Sequence, residues 1–143
     1  MQTKRVPKIG EVYLLNFDGS GSVQSGLRPG VVFQNNIGNA YSPNVVVLPL
    51  TTCLKKQAMP THVVLRSADT GLVRDSMVLC ENPHCVPKDS LGRYLTTIPA
   101  HYMSQIAGAS IMASGAIAYM DLGDLVSIWQ QAATMNTSSK EVA

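Results

Sequence analysis

The hydrophobic pattern of this 143-residue chain changes period once, and that change divides what the chain can fold into. Up to about residue 97 the apolar residues come in short runs bounded by Gly, Pro, Asn and Asp, which is how strands joined by turns read. From there on, Ile98, Tyr102, Ile106, Ala109, Ala113 and Ile117 fall on one face of a helix. The strand-like runs are 11–17 (EVYLLNF), 29–34 (PGVVFQ), 44–50 (NVVVLPL), 62–66 (HVVLR) and 76–80 (SMVLC). The strongly apolar run at 44–50 reads as a central strand with Pro49 at its end, because proline cannot donate to a ladder. Five short strands with Gly-rich turns predict a small barrel or a strongly curved sheet, followed by helix.

The connections carry their own signals. Residues 18–26 (DGSGSVQSG) read as a mobile, site-covering loop. Residues 35–43 form a turn-rich link, Asp69-Thr70-Gly71 a turn, and 89–94 a short helical turn. Pro99 suits the first turn of the long helix, with Thr97 near its cap. Gly108 and Gly115 weaken that helix but permit close backbone approach. A break at 121–124 precedes a second short helix at 125–135 carrying Trp129, and 136–143 reads as a disordered tail. With no repeat and no linker, one domain is expected over 1–143: a body at 9–120 and an extension at 121–143.

Charge narrows the function classes. Charged residues make up 14% of the chain, low beside about 25% in ordinary domains, and the net charge is +2. A uniformly basic nucleic-acid binder is excluded, while a local basic patch is not. Three cysteines, Cys53, Cys80 and Cys85, are an odd count that argues for idle thiols in a reducing cytosol rather than a disulfide framework. Cys80, His84 and Cys85 have no second half-site to complete a zinc centre. At the N-terminus, Lys4, Arg5 and Lys8 are followed by Glu11 and Asp18 instead of the apolar run of a signal peptide. Residues 101–120 lack Asp, Glu, Lys and Arg. Their apolar content is mostly Ala, so they read as a helix packed on protein, against a membrane span.

Several motifs occur in a fixed order. They are Gly10-Glu11-Val12-Tyr13, then SGLRPGVVFQNNIGN at 25–39, Ser42-Pro43, Leu50-Thr51-Thr52, MPTHV at 59–63 and GLVRDSMVLCEN at 71–82. In that combination the chain resembles the MazF/PemK family of toxin endoribonucleases, over roughly residues 9–118. The resemblance implies an α+β, mainly β fold: an SH3-like small β-barrel with a C-terminal helix, working as a homodimer. It also implies a cognate antitoxin of the MazE/PemI type, a bacterial cytosolic setting, and no cofactor or metal. The family's catalytic Arg falls on Arg28 and its catalytic Thr on Thr51. Its acidic-amide RNA-binding pair falls on Glu81 and Asn82, and Ser76 and Gln24 match positions along the RNA groove. Three departures stand out. Val23 replaces a loop Glu found in many relatives, His84 stands where many have Arg, and the chain runs on past the usual helix through Trp129.

The resemblance implies metal-independent, sequence-specific cleavage of single-stranded RNA, in which the ribose 2′-OH attacks its own phosphate. The products are a 2′,3′-cyclic phosphate and a 5′-OH. Such a reaction needs an aligned hydroxyl, a proton removed, a proton supplied and charge stabilisation on the phosphorane. Arg28 suits charge stabilisation, since its planar fork holds two phosphate oxygens and stays ionised. Thr51 can orient the 2′-OH or bond the phosphate. Glu81, His62 and His84 can all move protons, and sequence does not choose among them. Taken singly, each of these residues also has an ordinary reading: a surface Arg before Pro, a strand-end hydroxyl, a packed or loop histidine, a turn start. Lys55 and Lys56 read as a solvated loop or as phosphate contacts. Two rival functions share these expectations: a gyrase-directed toxin on the same fold, and a regulator that binds without cleaving.

Overall fold

A computed structural model describes residues 5–17, 26–54 and 59–142, with side chains as far as residue 135. Most of the glycine- and serine-rich loop, including Val23 and Gln24, lies outside the described residues, as do Lys55 and Lys56.

Seven strands form, two more than the sequence pattern predicts. They are β1 (Glu11–Phe17), β2 (Gly26–Val32), β3 (Asn44–Thr51), β4 (His62–Leu65), β5 (Ser76–Leu79), β6 (His84–Pro87) and β7 (Tyr94–Thr97). They pair antiparallel in the order β4-β5-β3-β2-β1-β7, with β6 joining β3. The apolar run at 44–50 is central, as its composition demands: β3 pairs with β2, with β5 near its end and with β6 near its start. Among the described residues no ladder joins β4 to β7, so closure into a barrel is not established. The Thr96 hydroxyl instead donates 2.6 Å to the Thr70 carbonyl across that gap.

The two faces of the sheet bury different residues. Val12, Val31, Leu48, Leu50, Val63, Leu65 and Val78 pack with Ile98, Tyr102, Ile106 and Ala109 on the helical side. Tyr13, Leu15, Phe17, Val32, Val45 and Val47 form a second cluster on the other face. The helix of the first cluster is α3 (Ala100–Ser114), whose buried residues are the expected Tyr102, Ile106 and Ala109.

Several expectations at the helices need correction. Thr97 closes β7, and Pro99 itself is the residue before the first helical turn. Gly115, in the left-handed region at φ 77°, ends α3, so Ile117 sits in a following 3-10 turn (Ala116–Tyr119). Among the described residues, a side chain at Gly108 or Gly115 would meet open space, so neither glycine sits in a close approach within the chain. Part of the turn-rich link is a six-residue helix, α1 (Asn36–Tyr41), capped by the Asn35 side chain on the Gly38 N–H. A one-turn helix, α2 (Ser67–Thr70), follows β4. The helical turn expected at 89–94 is a 3-10 turn, Lys88–Ser90, and β7 begins at Tyr94. The last helix, α4, runs Leu122–Val142, through the tail read as disordered.

A buried carboxylate ties the N-terminal segment to this frame. Glu11, 4% exposed, accepts from the Arg5 guanidinium (2.6 and 3.2 Å), the Lys8 amide (2.7 Å) and the Tyr13 hydroxyl (2.8 Å). Arg5 also lies 4.0 Å over the Tyr94 ring. Burial, and then the bond to Glu11, push the Tyr13 phenol well above the usual tyrosine range.

Candidate functional site

The predicted site residues within the described segments are carried by β2, β3, β4, β5, β6 and the turn leading into β6. The β2–β3 register pairs Gly30 with Pro49, Val31 with Leu48 and Val32 with Val47. Carried two residues further, the same register sets Arg28 level with Thr51. Arg28 is paired on its other side with Leu15, and Thr51 with Met77 on β5. Direct cross-strand neighbours project on the same face. By strand alternation Leu15, Arg28, Thr51 and Met77 all project on the face of the second cluster and away from α3. Gly30 lets β2 lie tight beneath that face. A Cβ there would stand 3.0 Å from both Leu15 and Phe17 side-chain atoms, in a packed environment with little room to yield.

Thr51 is largely buried, and its hydroxyl accepts from the Cys53 N–H at 3.1 Å. That bond orients the Oγ and leaves its own proton to donate. Ser76 is also buried, with its hydroxyl turned to the Arg74 carbonyl at 3.0 Å. A buried serine already donating to backbone is poorly placed to hold RNA. Gln24 falls outside the described residues.

A second group gathers beyond the other end of β5. His62 opens β4, and its Nε2 lies 2.9 Å from Glu81 Oε1, across 19 residues of sequence. The carboxylate can only accept, so Nε2 carries the proton. The His62 side chain is 4% exposed and that of Glu81 34%. His62 Nδ1 is buried with no hydrogen-bond partner among the described residues. The imidazole is thus closed off, and its visible effect is to fix the Glu81 carboxylate. His84 differs. Its Nδ1 donates 2.8 Å to the Asn82 carbonyl, and its ring stands edge-on to Phe17, 4.9 Å between centroids. That bond leaves the basic lone pair of the neutral ring on Nε2. His84 is paired with Val47, so it belongs to the same face as Arg28 and Thr51.

The two groups are separated along β3. Val47, opposite His84, and Thr51, level with Arg28, are four residues apart, or roughly 13 Å at about 3.3 Å per strand residue. One end of the face therefore offers a guanidinium and a hydroxyl, and further along it stands His84, with Glu81 and Asn82 in the turn just before β6. An extended polyanion laid along β3 would meet both. On the helical side lies a mainly apolar cavity of about 530 Å³, lined by Phe33, Leu48, Cys80, Pro83 and Ile111, with Glu81, Ser110 and Ser114 at its polar margin. Among the described residues no three His, Cys, Asp or Glu side chains gather as metal ligands, and no helix is long and apolar enough to cross a membrane.

Comparison with known proteins shows the family of the chain. Residues 8–110 match the family described as PemK-like, MazF-like toxin of type II toxin-antitoxin systems. Endoribonuclease MazF of Staphylococcus saprophyticus is 37% identical over 101 residues, covering 70% of this chain and 84% of the relative. Endoribonuclease EndoA of Bacillus subtilis is 34% identical over 102 residues, covering 71% and 88%. Among solved structures, a mycobacterial endoribonuclease in complex with its cognate antitoxin superposes with a TM-score of 0.65 at 29% identity, covering 76% of this chain and 95% of that one.

Proposed function

This chain belongs to the PemK-like, MazF-like toxin family of type II toxin–antitoxin systems and is an endoribonuclease toxin, and from that premise we propose that Arg28 and Thr51 form its phosphate-cleaving centre. The reading is metal-independent, sequence-specific cleavage of single-stranded RNA to a 2′,3′-cyclic phosphate and a 5′-OH. The ribose 2′-OH attacks the adjacent phosphorus, its proton leaves, and the 5′ oxygen departs with a proton gained. Arg28 supplies fixed positive charge to the equatorial oxygens of the phosphorane. Thr51, with its oxygen already engaged by Cys53 N–H, directs its proton to the phosphate and helps align the nucleophile.

Glu81, Asn82 and His84 hold the neighbouring stretch of RNA. Of the two imidazoles, His84 is the one able to exchange a proton with bound substrate through Nε2. His62 acts by positioning Glu81. Ser76 stays a structural hydroxyl, and Gln24 is assigned to the RNA by resemblance alone. The protein works as a homodimer and is held in check by a separate, acidic antitoxin, in line with the mycobacterial relative solved with its own.

What supports the assignment is the β2–β3 register, which pairs Gly30 with Pro49 and, extended by two residues, sets Arg28 level with Thr51. The test is incubation of the purified protein with a long single-stranded RNA in EDTA, followed by mapping of the ends. Discrete cuts with 5′-OH ends are expected, with Arg28→Ala slower by about 10²–10³-fold, the loss typical of removing one transition-state donor. Equal cleavage by Arg28→Ala would sink the assignment.

A further inference from the structure

The family match stops at residue 110, and α4 begins at Leu122. Nothing in the catalytic reading uses this helix. Its apolar sector is wider than its support. It packs against α1, only six residues long, and Leu125 and Ala132 are half-buried. A second stripe at i, i+4, i+7 and i+11, formed by Leu122, Val126, Trp129 and Ala133, turns elsewhere, and its large members are bare. Leu122 and Trp129 are each 78% exposed and Val126 50%. Tyr119, just before the helix, is 91% exposed, and Tyr41 at the end of the supporting α1 is 71% exposed. Ser127, Gln131 and Thr134 occupy the opposite, polar side.

We propose that this face of α4 is a homotypic interface, on which the same helix of a second copy of this chain packs about a two-fold axis. Three observations select that occupant. The exposed fractions of Leu122, Val126 and Trp129, with Tyr119 just before the helix, at about 150–250 Å² per aromatic side chain, amount to several hundred Å², the order of the roughly 800 Å² per partner of a stable interface. Lone surface apolar residues are ordinary, but a contiguous patch of this size on a soluble chain marks a contact. Residues 125–139 contain no charged side chain, so the face neither repels its own copy nor selects an oppositely charged partner. The i, i+4, i+7 spacing asks for a helix, and α4 supplies one with the same stripe. The contact goes beyond the homodimer proposed above, because it is built from residues outside the family match.

Trp129 is the sole tryptophan, so its fluorescence reports directly on this face. The full chain is diluted from about 50 µM, and Trp129 emission is expected to move to the red of exposed indole as copies separate. In a Cys53→Ser, Cys85→Ser background, Val126→Cys should form a covalent dimer under mild oxidation. Gln131→Cys on the polar side should not, and adding Trp129→Glu to Val126→Cys should abolish the cross-link while circular dichroism stays unchanged. Equal cross-linking at 126 and 131, or cross-linking that survives Trp129→Glu, overturns the proposal. So does Trp129 emission that is red at every concentration and shifts only when the antitoxin is added, since the face would then belong to that chain. RNA cleavage is measured on the same variants. Its persistence in Trp129→Glu separates a failure here from a failure of the catalytic assignment.

Discussion

Glu11 and Glu81 are both carboxylates beside a basic side chain, and they are built in opposite ways. Glu11 is buried and takes four hydrogen bonds from Arg5, Lys8 and Tyr13. Glu81 keeps a third of its side chain in water and has one bond, from a histidine whose second nitrogen is buried and unmatched. A saturated network fixes a structure; a partly satisfied one keeps capacity for a ligand. The first belongs to the frame, tying the N-terminal segment to β1 and β7. The second belongs to the site, where an orienting partner on one oxygen leaves the other for RNA.

The sharpest way to break this contrast is Glu11→Ala. It orphans the buried Tyr13 hydroxyl and the Lys8 amide, so unfolding free energy should fall by about 2–4 kcal/mol. Cleavage assayed below the lowered melting temperature should persist. Urea titration beside an RNA-cleavage assay reads both, and a loss of activity without a loss of stability would reverse the roles assigned to the two carboxylates.

Next in size is Glu81→Ala. Stability should fall by about 1–3 kcal/mol, less than for Glu11→Ala, because the change leaves one buried donor, the His62 Nε2–H, without its acceptor. Cleavage at low RNA concentration should fall about ten- to a hundredfold, mainly through KM if Glu81 binds RNA without entering the chemistry. A fall confined to kcat would instead make Glu81 a proton carrier. His62→Phe sharpens the point. It removes a buried nitrogen that has no partner, so stability should hold or rise slightly. RNA affinity should drop several-fold because the Glu81 carboxylate is no longer held. Unchanged affinity would show that His62 does no positioning.

The frame was more legible in the sequence than the site, for physical reasons. The runs at 11–17, 44–50, 62–66 and 76–80 declared themselves because each packs apolar residues into the two core layers. The strands at His84–Pro87 and Tyr94–Thr97 did not, since they are short and at best half-buried, and Pro83 and Pro87 bracket the first. The helix at Asn36–Tyr41 hid in a polar link, where only Asn35 three residues ahead of Gly38 hinted at a cap. At the site, family resemblance chose Arg28 and Thr51, but their alignment depends on strand register, which no local pattern encodes. The His62–Glu81 contact joins residues 19 apart across the β4–β5 pair, and the burial that separates His62 from His84 is purely tertiary.

The smallest effect lies on the alkaline side, and it separates frame from site by pH. Burial pushes the Cys80 thiol up to about 11. Burial and Glu11 raise the Tyr13 phenol, and the 2.6 Å bond to Asp69 raises that of Tyr102. Each folded pKa lies above its unfolded value. The unfolded chain therefore loses these protons first, and the stability they supply is intact below about pH 8.5 and declines as pH rises from there. Urea midpoints measured from pH 8 to 11 should fall in wild type and fall less steeply in Tyr13→Phe, which has no phenol to ionise. Glu81→Ala should stay close to the wild-type curve, because Tyr13 and Tyr102 are raised by other groups and burial, more than the Glu81 charge, raises Cys80. A Glu81→Ala curve that flattened like Tyr13→Phe would mean that the two carboxylates share one network after all.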